Sequence, residues 1–281
     1  MLKQYSMSVI SRTRDDEKPL SEEQVNAVVS QSLPTEEYNN KEVLLIVPDA
    51  TRTAPVGQLF KAIYKQIGGS VSKLDVMIAL GTHPPMSEEA ICERLEISLA
   101  ERREEYAKVQ FHNHEWDNPD ALKEIGTIPA SEIAELSGGR FETELPVKIN
   151  RRLYEYDQVI IVGPVFPHEV VGFSGGNKYL FPGVSGPELL NFFHWLGAII
   201  SNPKIIGHKD TPVRKVIDRA GGMVTIEKRC FAMVVRPDKS LAGLFFGTPE
   251  SAWDAAANLS DKTHIVYKDQ PFHSILSCAP P

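Results

Sequence analysis

The sequence has little cysteine, no long hydrophobic run and no excess of positive charge, and each shortage removes a class of protein from consideration. Cys92, Cys230 and Cys278 are the three cysteines in 281 residues. Their odd number and wide spacing make neither a disulfide framework nor a CxxC metal site, which fits a reducing compartment. No stretch is apolar for long enough to span a bilayer. The N-terminus carries Lys3, Arg12, Arg14, Asp15, Asp16 and Glu17 and lacks the apolar core of a signal peptide. A formal net charge of -7 gives no general attraction to polyanions, so neither nucleic acid nor a membrane is expected as a partner. The expectation is a cytoplasmic protein that handles small molecules, with any anion held by a local basic pocket.

What is present is enough for a sizeable core: 42% of residues are hydrophobic and 24% charged, the range of one large domain or two small ones. Residues 43–47 (VLLIV) read as a buried parallel strand and 56–67 as a helix ending at Gly68-Gly69. Residues 74–80 (LDVMIAL) form the next strand, and Ser87 opens another helix. A further strand at 158–162 (QVIIV) leads into a glycine-rich segment from His168 to Gly186. This alternation predicts an α/β fold with a doubly wound, mostly parallel sheet, in which ligands gather beyond the carboxyl ends of the strands. Less regular expectations are a strand-like start, a helix over 21–31 with a Ser21/Gln24 capping box and a charged helix over 99–106. A short strand at 109–111, helices over 188–200 and 212–220, alternating segments at 224–235 and 264–267, and a last strand at 274–277 complete them.

The residues able to do chemistry stand where the strands stop. Asp49, Thr51, Arg52 and Thr53 share one strand-to-helix turn, where the Arg52 fork and free helix N–H groups suit a carboxylate or phosphate. The competing reading has Asp49 or Thr53 as a helix cap and Arg52 as a solvated residue. His83 follows the 74–80 strand, and with Asp49 nearby it suits general acid/base work. The run from His168 through Gly172, Ser174, Gly175 and Gly176 to Lys178 is the densest feature. Its glycines allow close ligand approach and hold Lys178 in a ligand-facing loop, where loss of its proton would make it a nucleophile. His194 lies among aromatics on a helix, as a core histidine or a single metal ligand whose other donors come from elsewhere. His112 and His114, with Glu115 and Asp117, form a second cluster that either lines the same cleft or is a polar loop.

Taken together, Asp49-x-Thr51-Arg52, Gly81-Thr82-His83, Pro167-His168, Gly172 through Lys178, Pro182-Gly183 and His194 resemble the nickel-pincer-dependent lactate racemase family across most of residues 43–200. The resemblance implies a racemase or epimerase of a 2-hydroxy acid, working by reversible hydride transfer to a nickel-pincer nucleotide. That cofactor is a pyridinium-3-thioamide-5-thiocarboxylic acid mononucleotide with nickel, attached at Lys178. It implies Ser174, Gly175 and Gly176 as cofactor-binding, His194 as nickel ligand, His83 and His168 as the two proton-transfer bases, Asp49 as orienter of His83, and Arg52 as holder of the substrate carboxylate. It further implies cofactor-biosynthesis proteins as partners. Residues 1–270 correspond to the N-terminal catalytic domain and 271–281 to the start of a linker, the cleft being normally completed by a second, C-terminal domain. Tyr179, Phe181, Phe192, Phe193 and Trp195 point to a substrate other than lactate. Two other classes compete: a metal-free lysine-dependent enzyme acting on a carbonyl substrate, and a non-catalytic module that binds an anion or a metallocofactor.

Overall fold

A strand that is apolar on every residue needs cover on both faces, and the computed structural model, which describes residues 8–14, 18–270, 272–274 and 276, provides it. The strands are β1 (Ile10–Thr13), β2 (Glu42–Pro48), β3 (Lys73–Ala79), β4 (Phe111–Asn113), β5 (Leu122–Ile128), β6 (Leu145–Asn150), β7 (Gln158–Pro164), β8 (Pro167–His168), β9 (Gly172–Phe173), β10 (Glu227–Val235) and β11 (Leu241–Gly247). The helices are α1 (Glu22–Ser32), α2 (Val56–Ile67), α3 (Glu88–Arg94), α4 (Leu99–Arg103), α5 (Ala130–Ser137), α6 (Pro187–Ile200), α7 (Pro212–Gly221) and α8 (Pro249–His264). Leu44 and Ile46 of β2 join a cluster with residues of α6, α7 and α8. Val43, Leu45 and Val47 join a second cluster with α1 and α2 on the opposite face. Alternation along one strand thus feeds two cores.

The main sheet runs β1-β11-β10-β7-β2-β3-β4. Strands β10, β7, β2, β3 and β4 are joined in parallel, and β11 pairs antiparallel with both β10 and β1. From β2 the chain moves outward to β3 and β4, then returns to β7 and moves the other way to β10. The order therefore reverses between β2 and β7, and the loops leaving their carboxyl ends diverge around a crevice at a topological switch point. The doubly wound fold expected from the sequence is the fold observed. No helix among the described residues is long and apolar enough to cross a membrane.

Some elements differ from expectation. The charged helix stops at Arg103 rather than 106, and the strand expected at 109–111 forms at Phe111–Asn113, because Val109 closes a turn onto the Tyr106 carbonyl at 3.0 Å. His264 ends α8, and residues 265–267 form no strand. Helix α8, strand β11 and the β5–β6 hairpin were not anticipated. The strand expected at 274–277 and the linker at 271–281 fall mostly outside the described residues.

The glycine-rich segment leaves β7 at the switch point, folds back as the short β8–β9 hairpin, makes a 3-10 turn over Gly176–Tyr179 and enters α6. It lies directly against the chain after α6. A Cβ built on Gly172, whose φ is +91°, would stand 1.8 Å from the His208 carbonyl oxygen, a rigid neighbour. Gly172→Ala is therefore expected to lower stability by about 3 kcal/mol or more in a urea titration, through overpacking and left-handed backbone strain together. An unchanged midpoint would contradict this close approach.

Candidate active site

Asp49 follows β2 directly and is buried. One carboxylate oxygen accepts from the Thr51 hydroxyl at 2.6 Å and the Thr51 N–H at 3.1 Å. The other faces His83 Nδ1 at 2.5 Å. Burial alone would raise the Asp49 pKa, but the Thr51 and His83 hydrogen bonds outweigh it and hold the carboxyl below its ordinary value. The capping reading does not describe this turn, since the N-cap of α2 is Pro55 without a side-chain hydrogen bond. Arg94 of α3 braces the turn instead, donating to the Pro48 and Ala54 carbonyls at 3.1 and 3.2 Å. Nothing in the sequence around Arg94 marks that task. With Asp49 accepting, His83 Nδ1 carries the ring proton, and Nε2 keeps its lone pair on a side chain that is 48% exposed.

Across the crevice, Arg52, His83, His168, Lys178 and His194 line the same cavity of about 220 Å³, together with Asp49, Ser174 and Gly175. The sequence-predicted residues thus converge, with one departure. Gly176 lies away from the cavity, packed so that an added Cβ would meet Trp253 at 2.9 Å. The Ser174 hydroxyl is engaged within its own loop, donating to the Pro164 carbonyl at 3.2 Å and accepting from the Phe166 N–H at 3.0 Å. Of the five aromatics singled out earlier, Tyr179 and Phe193 line the cavity, Phe181 and Phe192 are core, and Trp195 is exposed.

The cavity mixes charges, with Asp49 and Glu169 in its lining beside Arg52 and Lys178. Lys178 stands at its wall, 5.6 Å over the Phe193 ring, and burial followed by the charges of Arg52 and Arg214 pushes its pKa down to about 7. His168 is buried, and burial followed by the charges of Lys178, Arg52 and Arg214 holds its pKa far below the ordinary imidazole value. Its Nδ1 accepts the Val170 N–H at 3.1 Å, so the neutral ring carries its proton on Nε2. Arg52 rests over the Phe166 ring at 5.7 Å, with no ion pair to a carboxylate among the described residues. His194 is exposed, and its Nδ1 donates to the Leu190 carbonyl at 2.9 Å, one helical turn back. That bond fixes the tautomer and leaves Nε2 free to bind a metal. Among the described residues no three His, Cys, Asp or Glu side chains are grouped to hold a metal by themselves. A metal here needs donors from a bound molecule.

The second histidine cluster divides. His114 is buried, its Nε2 donating to the Ser185 carbonyl at 2.9 Å and its Nδ1 accepting from Asn150 at 3.2 Å. It thereby ties the strand-end after β4 to the end of the glycine-rich segment. His112 stands 3.6 Å from the buried Asp75, whose other partners are Tyr156, the Gln110 N–H and Lys73 at 3.6 Å. Both histidines line a separate cavity of about 630 Å³ that shares Thr82 and His83 with the first.

A family model described as the lactate racemase N-terminal domain matches residues 1–206. A lactate racemase of Thermoanaerobacterium thermosaccharolyticum is 27% identical over 165 residues, 58% of this chain and 34% of that protein. A lactate racemase of Lactiplantibacillus plantarum is 22% identical over 264 residues, 88% of this chain and 56% of that protein. Among solved structures, a Thermotoga maritima protein superposes with a TM-score of 0.82 at 33% identity, over 92% of this chain and 63% of that one. The lactate racemase apoprotein of T. thermosaccharolyticum shares the fold, with a TM-score of 0.64 at 21% identity over 84% of this chain and 54% of its own. The chain thus spans from about a third to a little over half the length of the curated relatives it matches.

The His114 tie carries a pH dependence. Burial pushes its pKa down to about 4 from an ordinary 6.5. A histidine lowered on folding contributes stability that is complete above pH 6.5 and is lost as pH falls through 4, here up to about 3 kcal/mol. Thermal melts should show that loss, and His114→Gln should flatten the slope between pH 6.5 and 4. An identical slope in the variant would remove His114 from this role.

Proposed function

This chain belongs to the lactate racemase N-terminal domain family, and from that premise we propose that it carries the catalytic residues of a 2-hydroxy acid racemase or epimerase with a nickel-pincer nucleotide attached at Lys178. The observation that carries the proposal is one cavity at the switch point. A lysine of lowered pKa, a histidine with a free ring nitrogen and a carboxylate-backed histidine all line it.

The donor set fits such a group. A lysine with a pKa near 7 is largely uncharged just above neutrality, so its Nζ has a lone pair for an acyl-type carbon. A single histidine nitrogen is too little for nickel alone and sufficient when sulfur and carbon donors arrive with the cofactor. When bound, the cofactor supplies a reversible hydride acceptor.

The chain's own residues do the rest. Arg52, unpaired with any carboxylate among the described residues, offers its fork to the substrate carboxylate. His83 takes the C2 hydroxyl proton at Nε2, and Asp49 stabilises the imidazolium that results. His168 serves the opposite enantiomer at Nε2; because the Val170 N–H holds that nitrogen protonated in the neutral ring, it accepts a proton there only after the ring proton has moved to Nδ1 and the Val170 contact has opened. Inversion at C2 requires the hydrogen to return to the opposite face of the keto carbon, and the two histidines on one cavity serve the hydroxyl proton of one enantiomer each. A cytoplasmic setting with cofactor-making proteins as partners is part of the same proposal, and so is a second domain closing the cleft.

The lowered Lys178 pKa alone would equally serve a metal-free lysine enzyme, and it is His194 that separates the two readings. In cofactor-loaded protein, His194→Ala should lose nickel while keeping the organic adduct. His83→Gln should lower racemisation of 2-hydroxy acids by about a hundredfold or more, followed by chiral chromatography. Full nickel in the first variant or full turnover in the second contradicts the assignment. An adduct without any turnover in the unaltered protein would favour the binding module.

A further inference from the structure

The lysine loop is held from beneath by residues that lie beyond the matched span of 1–206. Arg214 of α7 is buried under it, with one Nη donating to the Phe173 carbonyl at 2.5 Å and both reaching the Gly175 carbonyl at 3.3 and 3.4 Å. The guanidinium stacks on Trp253 of α8 at 4.1 Å, and the Trp253 indole N–H donates to the Ser174 carbonyl at 2.9 Å. The Arg214 Nε has no hydrogen-bond partner. Asn177, next to Lys178, is fixed in parallel, its Nδ2 donating to Asp218 at 3.1 Å and to Glu250 at 2.7 Å.

We propose that Arg214 is the positioning residue of Lys178, fixing the backbone of its loop through the Phe173 and Gly175 carbonyls and placing an incompletely neutralised positive charge behind its amine. The inference rests on reading Lys178 as the attachment lysine.

Packing explains why an arginine is needed. The carbonyls of a tight glycine turn point into the protein, where unsatisfied they are costly, and a planar fork answers two of them at once. A neutral donor could do that as well; the charge is what reaches the amine. The carboxylate nearest Arg214 is Asp218 at 3.6 Å, which also accepts from Asn177, and the Glu250 charge acts on Arg214 as well, yet the Arg214 charge still reaches the amine. Arg214 is among the charges that depress Lys178, after burial and Arg52. The other charged or titratable groups lining the cavity with the amine are Asp49 and Arg52 from the loop after β2, His83 from the loop after β3, His168 and Glu169 from the β8–β9 hairpin, Tyr179 beside it and His194 from α6.

The test is the pH profile of Lys178 acetylation by N-acetoxysuccinimide in the unloaded 281-residue chain, followed by peptide mass spectrometry. The unaltered chain should show a midpoint near the value of about 7 given by its surroundings. Arg214→Met should raise the midpoint by about one unit. Arg214→Lys, which keeps the charge, should leave it low, and Asp218→Asn, which leaves Arg214 less neutralised, should lower it further. A folded Arg214→Met with an unchanged midpoint overturns the inference. Should that variant fail to fold, an Asp218→Asn midpoint that stays or rises overturns it instead. A midpoint in the ordinary lysine range in the unaltered chain would count against Lys178 as a preactivated amine, a failure distinct from that of Arg214.

Discussion

Holding an ammonium group inside a protein is costly unless a carboxylate pairs with it, and at Lys178 burial and the charges of Arg52 and Arg214 outweigh the opposing Glu169 and Asp49. The neutral amine is the form such a site favours. Almost every feature around the crevice follows from building that environment. The sheet reverses its winding between β2 and β7 and so opens a crevice beyond the carboxyl ends of those strands. The glycine-rich segment bends into the crevice, and α7 and α8 hold it from below. The rim is then furnished by the ends of β2, β3 and β7, which bring Asp49, His83 and His168 within one cavity.

The two histidines are not equivalent, and the difference comes from what lies behind each ring. A carboxylate behind His83 holds its ring proton on Nδ1 and leaves the Nε2 lone pair facing outward. A backbone N–H behind His168 sets the opposite tautomer and, with the surrounding cations, opposes protonation. His194 differs from both, since its tautomer is set by the Leu190 carbonyl of its own helix and not by the cavity.

Much of this was readable in the sequence. The strands 43–47, 74–80 and 158–162 are apolar but for Asp75 and Gln158, and such runs read as buried strands when helical periodicity separates them. Residues at strand ends therefore fell into the crevice as expected. What was not readable depends on contacts distant in sequence. Arg214, Trp253 and Glu250 look like ordinary helix residues until the fold sets them under the glycine loop. Gly176 belonged to a binding run by sequence, yet it serves packing against Trp253. Helix α8 escaped notice because its alanines and polar residues give a shallow apolar stripe, although Thr248-Pro249 marks its start. His112 and His114 looked like a pair and have separate partners, because β4 ends between them.

The central claim is that this crevice acquires its reactive group by bonding at Lys178 and completes a nickel site with His194. Intact-mass and metal analysis of the chain produced together with a pincer-cofactor pathway tests it most directly. The account predicts a covalent adduct that maps to Lys178 and about one nickel per chain. An unmodified, metal-free chain under confirmed cofactor supply would contradict it.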